Sequence, residues 1–249
     1  MSISDNDDPR PLYAQVRDQL IERIRSGVWK PGQLIPNEFE IAAEFGVSQG
    51  TARKAIEGLA AERLVLRRQG RGTFVVEHTP AHVLFRFFNI ADGAGSPVTP
   101  DSTRIHAEVA QATGEERKRL GLEANDQVIR IARIRTREAK PFIAETISLP
   151  AKQFPGLVDL PVIPNTLYDL FQKSYGILMM RTDDRLTAIL ADAETAAKLA
   201  VAPGAPLLRI DRTAYALDDR AIEWRVSLCH LENAHYIART KLSHDNGNR

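Results

Sequence analysis

The sequence has little of several features that mark particular classes of protein. Among its 249 residues there is one cysteine, Cys229, so no internal disulfide can form and no Cys-x-x-Cys metal motif is present. This usage is typical of a reducing compartment, where Cys229 is expected to be a buried free thiol. No apolar run approaches the ~20 residues that a bilayer-spanning helix needs. Residues 1–8 are polar and acidic rather than basic and apolar, so we expect a cytoplasmic protein with no secretory signal and no membrane partner.

The sequence also lacks an excess of charge of either sign. The chain contains 33 Lys and Arg residues and 32 Asp and Glu residues. The resulting net charge of +1 gives no global field that would attract a polyanion. The charge is uneven along the chain, however, because residues 53–73 contain six basic and two acidic side chains. Any nucleic-acid partner is therefore expected at this local patch. The length and the 43% hydrophobic content are sufficient for the core of one large domain or of two ordinary ones.

Apolar spacing near the start of the chain predicts three helices followed by a hairpin. The first helix begins at residue 11, the second is short and is capped by Asn37, and the third is capped by Ser48 and runs to about residue 63. Two strands then flank Gln69–Gly72, whose glycines permit the positive φ angles of a turn. The tight turn between the second and third helices is typical of a helix-turn-helix with a wing, which predicts a DNA-binding domain over residues 9–77.

The start of the third helix carries the side chains that DNA recognition needs. A helix-turn-helix places these positions against base edges, and a glycine-rich wing tip can approach phosphates or the minor groove closely. Ser48 and Thr51 can donate to phosphates, while Gln49 and Arg53 are candidates for reading adenine and guanine. The alternative for the basic side chains of this helix and of the first wing strand is a solvated face paired with nearby glutamates.

Five segments in this region form a recognisable pattern: PLY at 11–13, SGVWKPG at 26–32, LIPNE at 34–38, GVSQGTARKAI at 46–56 and RRQGRGTFV at 67–75. They resemble the winged-helix domain of GntR-family transcription regulators. The family usually has Ser and Arg where this chain has Asn37 and Phe39, and often has Arg in place of Gln49, so the operator sequence is not carried over. The predicted DNA-binding residues are Asn37, Glu38, Ser48, Gln49, Gly50, Thr51, Arg53, Lys54, Arg68, Gly70, Arg71 and Gly72.

The rest of the chain repeats a pattern at a shift of 79 residues, which matches Leu120 with Leu199, Arg130 with Arg209 and Arg133 with Arg212. Each copy is expected to contain a short helix (114–120 and 192–199), a loop and a long strand that folds back as a hairpin. Chance similarity between two amphipathic hairpins is the alternative. Two paired copies predict an antiparallel sheet with flanking helices over residues 82–242, reached through a linker and first-strand region over 78–103. The fold class is then α+β with two domains.

Arginines alternate along the first long strand of this predicted sheet. Arg133 and Arg135 are two positions apart and so share a face, and a third arginine continues the row. Such a row is repulsive unless an anion lies between its members. Together with Glu145, and with Glu223 and Arg225 of the second hairpin, it could form a pocket for a small anionic ligand. A solvated sheet face with cross-strand Arg–Glu pairs is the alternative.

Three segments of this half carry a second resemblance: PFIAETISLP at 141–150, TLYDL at 166–170 and AIEW at 221–224. They look like the UTRA effector domain of the HutC subfamily, whose fold is similar to that of chorismate lyase. In sugar-phosphate-sensing relatives the positions matching Arg133, Arg135 and Thr166 bind phosphate, and those matching Glu145, Tyr168 and Glu223 line the pocket. Many relatives have Tyr followed by Arg-Gly-Asp where this chain has CHLE at 229–232, so an amino-sugar phosphate is not carried over. His230 and His235 are expected to be satisfied sheet histidines, with contact to the ligand as the alternative.

These observations predict a ligand-responsive transcription regulator, a homodimeric repressor that a small anionic metabolite releases from a pseudo-palindromic operator on double-stranded DNA. No spacing supports a Ser-His-Asp or Cys-His catalytic site, and no metal or cofactor is expected. One alternative is an enzyme with the lyase fold. Another is a constitutive DNA-binding protein whose second domain only dimerises. The predicted effector-binding residues are Arg133, Arg135, Glu145, Thr166, Tyr168, Glu223 and Arg225.

Overall fold

The computed structural model describes residues 9–77 and 88–238, except for the side chains at positions 104 and 105. This part of the chain divides into two compact units. The first contains the residues up to 77 together with Thr166–Arg181 and Tyr215–Arg220, and the second contains the others. None of the helices in the described ranges is both long and apolar enough to cross a membrane. Residues 78–87 of the predicted linker and the last four residues of the predicted second domain lie outside these ranges.

Three helices and a hairpin open the first unit, as the sequence predicts. They are α1 (Leu12–Arg25), α2 (Glu38–Phe45), α3 (Gln49–Ala61), β1 (Val65–Arg68) and β2 (Gly72–Val75). β1 and β2 pair antiparallel. Helix α3 ends earlier than expected because Arg63 adopts a left-handed backbone conformation with φ of 58°.

The helices of this unit pack through their apolar faces. Leu20 of α1, Ile41 of α2 and Leu59 of α3 are fully buried in one cluster. Ala52 and Ala55 are also buried, and their small side chains allow α3 to approach its neighbours closely while its polar face stays outside. The packing therefore fixes which side of α3 is available to a partner.

The elements after residue 88 are β3 (Ile90–Asp92), β4 (Asp101–Gln111), α4 (Gly114–Leu120), β5 (Gln127–Arg137), β6 (Lys140–Pro150), α5 (Leu167–Tyr175), β7 (Met179–Leu190), α6 (Ala193–Leu199), β8 (Pro206–Ala216), β9 (Ala221–Cys229) and β10 (Ala234–Tyr236). A six-stranded antiparallel sheet has the order β4-β5-β6-β9-β8-β7, and β3 pairs with β10 in a separate small sheet. The predicted fold class, a winged helix-turn-helix followed by an antiparallel sheet with helices, is confirmed.

The six strands fall into two copies of one structural unit. The series β4, α4, β5, β6 recurs as β7, α6, β8, β9, and both ends of the helix and of the following strand are displaced by 79 residues. In the sheet the copies meet at β6 and β9 and run outward in the same order. Thr113 and Asp192 cap the two helices in the same way. The side chain of each accepts a hydrogen bond from the backbone amide three residues later in the chain. The repeat predicted from the sequence is therefore present in the structure.

Comparison of the two copies identifies one residue, Ala200, whose backbone conformation is unfavourable for its side chain. Gly121 ends α4 with φ of 65°, and Ala200 ends α6 at the matching position with φ of 55°. This conformation costs an L-residue roughly 1 kcal/mol that glycine avoids. Since Ala200 is exposed, its methyl group contributes little packing. We expect Ala200→Gly to raise the free energy of unfolding in urea by about 0.5–1 kcal/mol.

The reverse change in the first copy is the matched control for this prediction. Gly121→Ala places a methyl group on the same left-handed cap, with no other atom within 4 Å of the new carbon. It is expected to lower the free energy of unfolding by about 1 kcal/mol. If Ala200→Gly destabilised the protein, cap conformation would not be what distinguishes the two copies.

Two later segments pack with the N-terminal core inside the first unit. Gln172 of α5 donates from Nε2 to the carbonyl of Val76 at 3.1 Å across 96 residues of chain. Leu178 is buried in the same cluster as Leu20, and its carbonyl accepts from the amide of Leu217. These segments lie inside the span that the sequence assigns to the second domain. The sequence does not predict such contacts because neither local periodicity nor capping reports on them.

Candidate DNA-reading surface and ligand pocket

Asn37 holds the start of α2 through a capping box. Its Oδ1 accepts from the amides of Phe39 and Glu40 at 2.9 and 3.0 Å, and the Glu40 carboxylate accepts from the Asn37 amide at 2.7 Å. Gly46 then ends the helix with φ of 65°. The side-chain oxygen of Asn37 is therefore engaged within the protein, and the cap fixes the direction in which Glu38 leaves the helix.

The start of α3 presents polar groups on an exposed surface. Ser48 Oγ accepts from the Thr51 amide at 3.1 Å and lies 2.9 Å from Thr51 Oγ1. The following Gln49 and Gly50 are exposed. A capped helix start combines hydroxyls, amides and the positive end of the dipole, so it suits a phosphate group. Lys54, one turn further on, has its ammonium 4.0 Å from the centre of the Tyr13 ring.

Glu38 joins α3 and the wing through three contacts. Its carboxylate accepts from Nε of Arg53 at 3.2 Å and from Nε2 of Gln49 at 3.4 Å, and it lies 3.4 Å from Nη2 of Arg67. The Arg53 side chain remains 59% exposed, so its guanidinium is oriented but not covered. The structure therefore brings together three predicted residues and adds Arg67, which belongs to the basic patch of residues 53–73 but is not among the predicted DNA-binding residues. Strand alternation, which separates Arg67 from Arg68, could have indicated it.

The wing tip is built on glycines that need unusual backbone angles. Gly70 and Gly72 have φ of 69° and 105°, and the Arg71 amide donates to the carbonyl of Arg68 at 2.9 Å. A Cβ on Gly72 would lie 2.6 Å from a methyl carbon of the exposed Leu34 side chain, which would have to move, and the positive φ disfavours any residue other than glycine there. Arg68 stacks over Phe74 at 4.8 Å, and Arg71 extends from the exposed tip.

In the large sheet a buried carboxylate lies among three arginines. Glu145 on β6 pairs with Arg133 on β5 and with Ser227 on β9. Its carboxylate accepts from Arg133 Nε at 2.6 Å and lies 3.5 and 3.6 Å from nitrogens of Arg135 and Arg225. Burial alone would raise the pKa of Glu145, but the three guanidiniums hold that pKa well below its usual range. The protein itself therefore supplies an anion to the predicted arginine row.

Arg135 carries its charge in a strongly desolvated place. Its side chain is 3% exposed, and burial together with the neighbouring arginines lowers its pKa to about 10. Its Nη2 donates to Oδ1 of Asn165 at 3.0 Å, and Arg133 Nη1 donates to the Asn165 backbone carbonyl at 3.1 Å. The Phe88 ring lies 5.2 Å from the Arg135 guanidinium carbon. Buried Nε of Arg135 has no hydrogen-bond partner within the described part of the chain.

A pocket with about 330 Å³ of atom-free space, partly open to solvent, lies beside this cluster in the second unit. Of the predicted effector residues, Glu145 and Arg225 line this pocket. The carboxylate of Glu223 accepts a hydrogen bond from Nη2 of Arg225 at 2.7 Å. Arg133 and Arg135 contact Glu145 from β5. Thr166 and Tyr168 belong to the first unit, where the buried Tyr168 ring packs against that of Phe171.

Sequence reasoning missed an arginine–aspartate pair at the same pocket. Arg212 of β8 lines the pocket and forms two 2.7 Å hydrogen bonds with Asp184 of β7. The hydroxyl of Tyr236, another lining residue, donates to Asp184 at 2.5 Å. The internal repeat contained the signal, because Arg212 matches Arg133 at the 79-residue shift. Each copy therefore contributes one buried arginine held by a carboxylate.

The thiol and the two histidines of this region differ in position. Cys229 is fully buried, lines the pocket, and has its pKa raised by burial, as expected of an unreactive thiol. The amide of His230 donates to the carbonyl of Phe142, and His235 is exposed on β10. Within residues 9–77 and 88–238, no group of three or more His, Cys, Asp and Glu side chains is arranged to hold a metal ion.

Family models match both parts of the chain. The model of bacterial regulatory proteins of the gntR family matches residues 12–75, and that of the UTRA domain matches residues 96–235. The HTH-type transcriptional repressor NagR of Bacillus subtilis is 29% identical over 235 residues, covering 93% of this chain and 96% of NagR. The mannosyl-D-glycerate transport/metabolism system repressor MngR of Escherichia coli is 27% identical over 216 residues, covering 86% and 90%.

The fold agrees with that of a solved relative. The crystal structure of PhnF from Mycobacterium smegmatis superposes with a TM-score of 0.55 at 28% identity, covering 91% of this chain and 99% of PhnF. Both halves thus match a known domain, the first over residues 12–75 and the second over residues 96–235. The chain belongs to the gntR family of bacterial DNA-binding transcription regulators, in the group that carries a UTRA domain.

Proposed function

We propose that this regulator is a homodimeric repressor of the HutC type, acting in the cytoplasm, whose winged helices read the two halves of a pseudo-palindromic operator. The observation that carries this is the contact of Glu38 with Gln49, Arg53 and Arg67, because it orients base-reading side chains on an exposed helix start beside a wing. Arg53 would pair with a guanine and Gln49 with an adenine in the major groove.

The remaining DNA-binding residues would position the protein on the phosphate backbone. Ser48, Gly50 and Thr51 form the capped helix start, and Lys54 continues the same helix. The wing would contribute Arg68 and the tip residues 70–72, whose lack of side chains at two positions allows close approach. These contacts set the salt dependence of binding rather than its sequence preference. Asn37 would act by holding Glu38 in place through the cap.

The second unit would sense a small anionic metabolite at the pocket beside Glu145. Arg225 and Arg212 line that pocket, while Arg133, Arg135 and Glu223 fix the charges around it. Thr166 and Tyr168 enter this proposal through the family resemblance alone. Ligand binding would favour a conformation of the dimer in which the two winged helices no longer match successive half-sites. The name of MngR associates repression with the transport and metabolism of mannosyl-D-glycerate, which fits this role.

One observation favours a second candidate, a constitutive regulator without an effector. Arg133 and Arg135 already contact Glu145 and Asn165, so they could serve as structural ion pairs. In that case the second unit would only dimerise. The two candidates differ in whether any small anion weakens operator binding, and neither assigns a catalytic role to the chain.

The proposed function is tested by mapping the genomic DNA that the purified full-length protein protects from nuclease. We expect protection near its own coding region over two half-sites whose centres are about 10–10.5 base pairs, or a multiple of this, apart. Crosslinking in solution should show a dimer. Protection of a single asymmetric half-site by a monomer, or protection without sequence preference, would contradict the proposal.

A further inference from the structure

The first turn of α2 carries an exposed aromatic ring next to the residues that are proposed to read bases. Phe39 is 67% exposed, and among the aromatic side chains of residues 9–77 and 88–238 it is the only one that is neither buried nor partly buried. Its backbone is ordered by the helix cap, because the Phe39 amide donates to Oδ1 of Asn37 at 2.9 Å. A partner that offered an apolar group to this ring would gain free energy by removing both from water.

The position of Phe39 on α2 places it on the side away from α1. Each residue turns an α-helix by about 100°. The buried stripe of α2 consists of Ile41, Ala42 and Phe45. On one side of this stripe, Glu44 accepts from Arg23 of α1 at 3.0 Å. On the other side Phe39 shares a face with Ala43, which is also exposed. The exposed apolar face of α2 is therefore separate from its contact with α1.

The residue before Phe39 connects this part of α2 to α3 and the wing. The carboxylate of Glu38 lies 3.4 Å from Nε2 of Gln49 and 3.2 Å from Nε of Arg53. It also lies 3.4 Å from Nη2 of Arg67 on β1. The start of α3 is thus at the same end of α2 as the exposed ring. Phe39 extends the proposed base-reading surface beyond Gln49 and Arg53 with an apolar group.

A phenyl ring can read only one feature of DNA from this surface. It has no hydrogen-bonding group and no charge, so it can pair neither with a phosphate nor with the polar edge of a base. The carboxylates of Glu38 and Glu40 on either side also disfavour a close approach to the phosphate backbone. In the major groove the natural bases present one apolar group, the C5-methyl group of thymine, and phenylalanine is suited to contact it.

We propose that Phe39 is a specificity-determining residue, which selects a thymine by packing against its C5-methyl group in the major groove. The thymine would flank the base pairs that Gln49 and Arg53 read, because the ring is on α2 and not on α3. An arginine, which the family usually has at this position, would favour guanine instead. This inference rests on the proposed function, since it needs an operator, and it adds one base to those that α3 reads.

The test removes the methyl group and nothing else from the DNA. The operator is first defined by nuclease protection, and each thymine of its half-sites is then replaced in turn by deoxyuridine. Binding of the full-length protein is measured by fluorescence anisotropy at a fixed salt concentration. We expect one flanking position at which the replacement weakens binding by about fourfold, as loss of one buried methyl group predicts. Replacement in both half-sites should weaken binding by about 16-fold, since the two sites are well separated.

Variants of Phe39 connect that position to the ring. Phe39→Ala should abolish the difference between thymine and deoxyuridine there, while other thymines keep theirs. Phe39→Leu retains apolar surface and should retain most of the difference, and Phe39→Arg should shift the preference toward guanine. Leu190→Ala is the matched control, because Leu190 is 71% exposed but lies on β7 in the second unit. It should leave every ratio unchanged.

Three results would overturn the inference. In the first, no deoxyuridine replacement weakens binding. In the second, the sensitive position is equally sensitive in Phe39→Ala, and another group reads the methyl. In the third, Phe39→Ala weakens binding to operator and scrambled DNA alike, as expected of a ring on the sugar–phosphate backbone. Operator preference without a methyl effect that depends on Phe39 contradicts this inference alone, whereas absence of any sequence preference contradicts the proposed function as well.

Discussion

Replacing Arg53 with alanine is expected to abolish specific operator binding while the protein remains folded. Loss of the proposed bidentate contact to guanine would cost about 1–3 kcal/mol, and the proposed dimer would lose it in both half-sites, so operator affinity should fall by about 30-fold or more. Binding to unrelated DNA should fall much less, because other basic groups contact phosphates. Fluorescence anisotropy with operator and scrambled duplexes at a fixed salt concentration measures both.

The matched control for this prediction is Arg25→Ala on α1. Arg25 is similarly exposed and pairs with Glu22 on its own helix, away from Glu38. Its loss should leave the ratio of specific to non-specific affinity unchanged. The stability of Arg53→Ala should stay close to that of the parent, since its ion pair with Glu38 is largely exposed. If Arg53→Ala kept the operator preference, Arg53 would be a phosphate contact or a surface residue, and base reading would have to be assigned to other side chains.

Replacing Glu145 with glutamine should destabilise the second unit more than any other single change to its charges. The neutral amide leaves Arg133 and Arg135 buried without their common partner, and breaking a buried pair in this way costs about 3–5 kcal/mol. Chemical denaturation followed by circular dichroism measures the effect. Because the pKa of Glu145 is held below its usual value of 4.5, the stabilisation is fully present at neutral pH and is lost only in acid.

An exposed glutamate in the same unit is the control. Glu115 on α4 pairs with Arg119 four residues along the helix and is half exposed. Glu115→Gln should change the free energy of unfolding by less than about 0.5 kcal/mol. If Glu145→Gln were as mild as this, water or an internal rearrangement would have to compensate the arginines.

The parts of the fold that the sequence predicts are those set by local chemistry. Asn37 and Ser48 start their helices as expected, because a cap is decided by a side chain and the amides within three residues of it. The hairpin around Gly70 follows from backbone angles that few other residues adopt. The repeat was visible because both copies keep the same apolar positions. These signals all lie within short windows or recur at one spacing.

The parts that could not be predicted depend on contacts between distant segments. Asn165, which holds Arg133 and Arg135, lies in a loop whose sequence shows no pattern. Asp184 is one of two adjacent acidic residues on β7, and only the fold shows which of them reaches Arg212. The choice between a ligand pocket and cross-strand ion pairs was also open, and the structure contains both: Arg133 pairs with Glu145, and a pocket remains beside them.

Glu38 is an internal acceptor that would compete with DNA for the guanidinium group of Arg53. In the free protein Arg53 already has an acceptor, so a DNA group gains only the difference between its own acceptor strength and that of this carboxylate. A lone phosphate offers little advantage over Glu38, whereas guanine presents two aligned acceptors that match the guanidinium fork. If Arg53 contacts a base as proposed, the internal carboxylate would lower the affinity for every sequence by a similar amount and leave the preference for the right base intact.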